Sequence, residues 1–388
     1  MNGELKDLTR PVRVLYVSSY IPRKCGIATF TKDLTNAINL LNPLELAQIV
    51  AMDNKISEGL SYPHEVKYRI RQGIQGDYGQ VVDYVNESNK VDLVVIQHEF
   101  GIFGGRDGGM VMELLDKIEK PMITTLHTVL SKPTAGMRKI VKRIGEKSRY
   151  VVVMLEVSAD ILVSVYGVKR QKIMVIPHGV PDFPRMSEGR KKFGLVGRVV
   201  MTSINLMSAA KGIEYVIGAL PEIIKQVPNL TYLVVGETHP VVKLTEGEKY
   251  RRKLEKLVKD LDLGKSVKFV NKYLPLAKLV NYVGASDIYI TPYLEPQQAA
   301  SGSLAYAIGA GKVCVSTPYL YAREMFTLGC GKLVPFRDSP AIAKAVLELL
   351  GDRQGRVECE EKAYQLGRTM TWHNVGHLYY HLFHYALS

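Results

Sequence analysis

At 388 residues the chain is about twice the length that one hydrophobic core serves, so two domains are expected rather than one or many. Its 46% hydrophobic and 23% charged residues exclude a disordered chain. Fifty-one Lys and Arg against 38 Asp and Glu leave a formal charge of +13, which favours a polyanionic, phosphorylated or acidic-membrane partner without choosing among them.

The N-terminal stretch MNGELKDLTRP (1–11) is charged and holds no apolar leader core, and no run approaches the roughly 18 apolar residues of a membrane span. A cytoplasmic chain, at most peripheral to a membrane, is expected. Five β-branched runs follow at 12–19, 92–97, 122–127, 150–155 and 172–179, separated by helical patterns. The segment HGVPDFPRMSEGRKKFG (178–194), rich in Pro, Gly and charge, then divides the chain. Beyond it, runs at 199–204, 231–236, 266–270, 287–292 and 312–317 repeat the pattern. Continuous apolar strands alternating with helices predict parallel sheets covered on both faces, hence two doubly wound Rossmann-like α/β domains facing a cleft. The expected boundaries are 1–180, 181–370, and a C-terminal helix at 371–388 crossing back to the first domain. Cys25, Cys314, Cys330 and Cys359 lie far apart with no CxxC pair, which speaks against a zinc ribbon or a disulfide framework.

In such sheets the residues just after each strand line the ligand site. After the first strand, SSYIPRKCGIATFTKDL (18–34) places Gly26 at a turn before a helix, where a small residue lets backbone N–H groups approach an anion. The dinucleotide fingerprint is absent because Gly26 stands alone, and the Walker pattern fails because Gly311-Lys312 is followed by Val313. Three later strand ends carry His98, His127 and His239, each suited to donate to a sugar or phosphate or to serve as an ordinary hydrogen-bonded core histidine. Lys211-Gly212 precedes an amphipathic helix, where a lysine suits a diphosphate as a point charge. In EPQQAASGSLAYAIGAGK (295–312), Ala300, Ser301, Gly302 and Ser303 form a small-residue junction suited to an anion nest.

Together these elements resemble the retaining, nucleotide-sugar-dependent glycosyltransferases of family four, whose fold is called GT-B. The likeness covers nearly the whole chain in order: the Gly26 loop, LHT at 126–128, VIPHGVPD at 175–182, KGIE at 211–214 and SGSLAYAIGAGKVCVSTP at 301–318. It implies that Gly26 contacts a diphosphate, His127 the donor sugar, and Lys211 the leaving diphosphate. Ser301, Gly302 and Ser303 would cap that diphosphate with main-chain N–H groups, and the region from Glu237 would approach the nucleotide. Where the family has two glutamates, this chain has Gln298 and Tyr306, which take their places in the donor site; Glu295 is the nearby carboxylate, set with Lys211 and His127 as catalytic. The family's arginine before the lysine is replaced by Leu206 or Met207.

The resemblance implies retaining transfer of a mannosyl or glucosyl unit from a GDP- or UDP-linked sugar to a saccharide or lipid-linked acceptor. No metal, no cofactor beyond the nucleotide-sugar substrate and no nucleic-acid partner are implied. The alternatives are a nucleotide-sugar sensor or inactive partner subunit, and an epimerase or phosphorylase of the same fold. Two other features carry their own expectations. His373, His377, His381 and His384 form a stripe on the outer face of the last helix, opposite Val375, Leu378, Tyr379, Leu382 and Ala386, and a one-sided stripe rarely closes a metal shell. The basic helix GMRKIVKRIGEKSR (136–149) is either a solvated face or a contact for an anionic membrane surface.

Overall fold

The computed structural model describes residues 10–55, 57, 59–185 and 188–388. Residues 1–9, on which most of the no-leader expectation rests, lie outside the described residues, as do 186 and 187 of the dividing segment. The chain forms two compact units, Met1–Gly179 with Trp372–Ser388, and Val180–Thr371.

The first unit is built on seven parallel strands: β1 (Val14–Ser18), β2 (Gln48–Asp53), β3 (Val66–Arg71), β4 (Leu93–His98), β5 (Met122–Leu126), β6 (Tyr150–Val153) and β7 (Ile173–Val175). Their spatial order is β3-β2-β1-β4-β5-β6-β7, so winding reverses between β1 and β4. The second unit has β8 (Val199–Ile204), β9 (Leu230–Val235), β10 (Val267–Val270), β11 (Ile288–Thr291), β12 (Val313–Ser316) and β13 (Gly331–Leu333), ordered β10-β9-β8-β11-β12-β13. Here the reversal falls between β8 and β11. Helices on both faces bury the central strands completely: every residue of the mainly apolar β1, β4 and β9 is buried, the polar Ser18, Gln97, His98 and Thr231 included.

Six helices bear on the site or its support and are labelled in chain order: α1 (Gly26–Leu41), α2 (Ala135–Lys147), α3 (Ile213–Gln226), α4 (Lys249–Asp260), α5 (Gly302–Gly309) and α6 (Trp372–Leu387). In α3 the residues Ile213, Val216, Ile217, Leu220 and Ile223 lie on one buried face against the second sheet. Each such aliphatic side chain contributes about 1.5–3 kcal/mol on leaving water.

Helix α6 packs on α1 within the first unit, burying Val375, Gly376, Tyr379, Leu382 and Phe383. The backbones approach closely because Gly376 has no side chain; a Cβ there would lie 2.9 Å from the Cβ of Ala37. The Tyr379 hydroxyl meets Thr125 Oγ1 at 3.0 Å. Leu378, expected on the apolar face, is 47% exposed. The buried arc centres near Tyr379 and Gly376, which turns Leu378 to its flank.

Candidate active site

The winding reversal of the second unit brings the ends of β8 and β11 side by side, and Lys211 and the Ser301 junction follow those two strands. After β8 the chain makes a short turn at Ala209–Lys211 and enters α3 through Gly212. Gly212 is left-handed at φ 62°, and a Cβ there would lie 2.2 Å from the Pro292 carbonyl oxygen, so only glycine fits. The turn is anchored to the neighbouring strand end by Leu294 N, which donates to Ala210 O at 2.9 Å.

Lys211 Nζ lies 3.9 Å from the centre of the Tyr293 ring. The residue keeps partial solvent access, yet its ammonium is desolvated enough to bring its pKa down to about 8. Among the described residues no carboxylate pairs with it. Tyr293 stacks on Tyr319 with centroids 5.2 Å apart, and the Tyr319 hydroxyl donates to Ser301 Oγ at 3.4 Å. An aromatic bridge thus connects the lysine to the N-cap of α5.

Ser301 caps α5 by accepting from Leu304 N at 3.3 Å. Gly302 and Ser303, the first two helical residues, keep amides with no intrahelical acceptor, facing the positive end of the helix dipole. The Ser303 hydroxyl is committed to the fold, donating to Ile204 O and meeting Tyr289 OH, both at 2.6 Å. Its main-chain N–H is what remains for an anion. Gln298 is half-buried, with Nε2 donating to Ala300 O at 2.9 Å. Glu295 is exposed and accepts from Gln297 N at 3.1 Å. Tyr306 is only 7% exposed, its ring 6.0 Å from that of Phe183. Glu237 is half-buried on the loop after β9 and accepts from Met207 N at 2.8 Å through its carbonyl. His239 accepts from Val241 N at 3.2 Å through Nδ1, and so caps the short helix that follows it.

In the first unit Gly26 opens α1 at the end of the 19–25 loop that follows β1, with Cys25 Sγ accepting from Ala28 N at 3.3 Å. A Cβ at Gly26 would meet no protein atom within 4 Å. The absence of a side chain there is therefore not demanded by packing. His127 Nε2 bonds Gln97 Oε1 at 2.9 Å, and its ring meets the edge of Phe30 at 4.9 Å. Phe30 also contacts His178 and Trp372, each at 5.2 Å. Burial holds His127 down to about 3 and His178 to about 4, so both are neutral near pH 7. His98 is buried outright, stacked on Phe103 at 5.5 Å, with neither ring nitrogen partnered among the described residues. It cannot reach a ligand in this position. Burial raises the pKa of the neighbouring Glu99 carboxyl, which accepts from Thr128 Oγ1 at 2.5 Å. Tyr293, Tyr319 and Glu99 were not identified from the sequence; the signal for all three was the rule already applied to their neighbours, a position just beyond a strand.

A cavity of about 860 Å³ opens at the carboxyl ends of β2 and β3, lined by Arg69, Arg71, Gln72 and Phe103 among others. Arg69 is held by Asp53 at 2.5 Å and Arg71 by Asp77 at 2.8 Å. Helix α2 buries Ile140, Val141 and Ile144 and turns Arg138, Lys139 and Lys142 outward. Among the described residues no helix is long and apolar enough to cross a membrane. The rings of His373 and His377 lie 4.7 Å apart on α6, and no group of three or more His, Cys, Asp or Glu among the described residues is placed to hold a metal ion.

Comparison with known proteins bears on the family and the fold. The family model described as "Glycosyl transferases group 1" matches residues 186–366, and "Glycosyltransferase Family 4" matches residues 59–182. A GDP-mannose-dependent alpha-(1-6)-phosphatidylinositol monomannoside mannosyltransferase of Mycolicibacterium smegmatis is 24% identical over 161 residues, 40% of this chain and 39% of that protein. The chain thus matches well under half the length of that curated relative. The crystal structure of a glycosyltransferase from Rickettsia africae superposes with a TM-score of 0.75 at 16% identity, covering 98% of this chain and 99% of that one. Anabaena HepE in complex with UDP superposes with a TM-score of 0.74 at 16% identity, covering 96% and 99%.

Proposed function

Because the chain belongs to the family-four-like glycosyltransferases built on the GT-B fold, we propose that it transfers a hexosyl unit from a nucleoside-diphosphate sugar to an acceptor hydroxyl, with retention at the anomeric carbon. One observation carries the reading: a desolvated ammonium at Lys211, with no carboxylate partner among the described residues, connected through Tyr293 and Tyr319 to the N-cap of α5. A desolvated cation without a counter-ion is costly to keep, and a diphosphate would supply the missing charge.

In the reaction the bond from the anomeric carbon to the diphosphate oxygen breaks while that carbon bonds the acceptor oxygen on the same face. The acceptor proton passes to the departing phosphate oxygen. Lys211 and the amides of Gly302 and Ser303 stabilise the negative charge that grows on the leaving group, a contact that strengthens toward the transition state. In the first unit, Gly26 leaves the start of α1 open to an anion.

For the donor, GDP-mannose and UDP-glucose are the two candidates, following the mannosyltransferase relative and the UDP bound by HepE. For the acceptor, the cavity beside Arg69 and Arg71 suits a saccharide or a glycolipid headgroup, with α2 resting on an anionic membrane surface. A sensor that binds without transferring is the second reading, favoured by the burial of Tyr306 where the family places a glutamate. Incubating the protein with UDP-glucose, GDP-mannose and a panel of acceptors, read by mass spectrometry and by NMR of the new anomeric centre, separates the two. Retained transfer supports the enzyme; nucleotide binding with no product supports the sensor.

A further inference from the structure

Two adjacent residues of α4 hold the two strand-end loops of the second unit at once. Tyr250, 5% exposed, accepts from Ile213 N at 3.1 Å through its hydroxyl and donates its proton to the Glu214 carboxylate. Ile213 is the first residue of α3, so this hydroxyl caps the helix whose entry turn carries Lys211. Glu214 is held in turn by Lys253 of α4 at 3.1 Å. Arg251, 4% exposed, donates from Nη2 to Gly236 O at 2.8 Å, and its Nε lies 3.4 Å from Glu248. Glu248 also accepts from Thr238 Oγ1. Gly236 and Thr238 flank Glu237 on the loop after β9. That loop has no slack of its own: Gly236 sits at φ 127°, and a Cβ on it would lie 1.8 Å from Asn205 O.

We propose that Tyr250 and Arg251 are positioning residues for the donor site, Tyr250 fixing the Lys211 turn and Arg251 fixing the Gly236–Pro240 loop. Successive residues on a helix point about 100° apart, so one rigid element reaches both loops and sets their spacing. Neither side chain needs to touch the substrate. Tyr250 acts on the chemical step, because Lys211 contributes most when charge builds on the leaving diphosphate. Arg251 acts on nucleotide capture, because the loop it holds is the one expected against the nucleotide. The kinetic division rests on the transferase reading; the mechanical one does not.

The test uses the full chain with Tyr250→Phe, which deletes one oxygen, and Arg251→Lys, which keeps the charge and loses the fork. Hydrogen exchange is measured first, with no ligand. Tyr250→Phe should speed exchange at least about tenfold in the 209–214 amides and not in 236–239, and Arg251→Lys the reverse. With UDP-glucose and GDP-mannose as donors, Tyr250→Phe should lower kcat about tenfold with donor KM nearly unchanged, and Arg251→Lys should raise KM and weaken UDP or GDP binding with kcat largely kept. If Arg251→Lys does not fold, Thr238→Val releases the same loop from Glu248. Exchange unchanged in both segments, or kcat and KM moving together in both variants, overturns the proposal. Wild-type protein that transfers neither sugar, while the exchange pattern holds, overturns the transferase reading and leaves the mechanical coupling standing.

Discussion

The Lys211 ammonium sits over the face of the Tyr293 ring, 3.9 Å from its centre, in surroundings that lower its pKa to about 8. The ring quadrupole favours the charged form and desolvation opposes it, and desolvation is the larger effect. Transfer should therefore fall as pH rises through about 8 in the free enzyme, as the lysine loses its proton. Binding UDP or GDP near pH 8.5 should be accompanied by proton uptake, measured by calorimetry in buffers of different ionisation enthalpy. Binding with no proton uptake would remove the diphosphate from beside Lys211.

Replacing Lys211 with Ala should lower kcat by about two to three orders of magnitude while the melting temperature holds or rises, since the variant relieves a desolvated charge. For the same reason the wild-type fold should gain stability as pH climbs from about 8 toward the lysine's ordinary value of 10.5. Steady-state kinetics and a melting series from pH 7 to 10 check both halves.

Tyr293→Leu keeps the apolar wall and removes the ring face. The basic limb of the activity profile should move down by about 0.4–0.7 pH unit, corresponding to a contribution of about 0.5–1 kcal/mol from the ring. A profile that does not move would show that the ring contributes packing alone.

His98, His127 and His178 are held neutral by burial at about 3, 3 and 4, well below their ordinary value near 6.5. Below pH 6.5 the unfolded chain takes up protons that the folded chain refuses. Stability is therefore full above that pH and falls on acidification at about 1.4 kcal/mol per pH unit for each histidine. His98→Leu should lessen the drop in melting temperature between pH 6.5 and 4.5. At pH 7 it should change stability by no more than about 1 kcal/mol, because no hydrogen bond from His98 is lost.

Two glycine substitutions should part company. Gly376→Ala drives a methyl group into Ala37 and should cost about 1–3 kcal/mol, read by denaturant titration. Gly26→Ala meets open space and should leave stability nearly unchanged while weakening UDP or GDP binding.

Much of this architecture is legible in the sequence. The runs at 199–204 and 122–127 form strands, because short segments rich in β-branched and apolar residues fit the middle of a covered sheet. VKYRIR of β3 is not legible as a strand, because it is an edge strand whose alternation of apolar and basic residues resembles a solvated loop. QIVAMD of β2 and the three residues of β13 were missed as well, the latter too short to show a period. At the site, Lys211, Gly212 and Ser301 were visible because turn chemistry is local. Tyr250 was not, since its hydroxyl gains its role from partners distant in sequence; Tyr293 shows in the sequence only as a residue just past a strand, without the ammonium over its ring; and His98 could be told from a ligand contact only by its burial.

The packing of α6 on α1 has a consequence for how the protein is made. Residues 180–371 are threaded between two parts of the same unit, so a ribosome must deliver the whole second unit before the covering helix of the first emerges. At about 5–20 residues per second that leaves the α1 face of the nascent first unit bare for roughly ten to forty seconds. During that interval Ala37 and its neighbours are a surface for a chaperone, or for another nascent chain, to occupy.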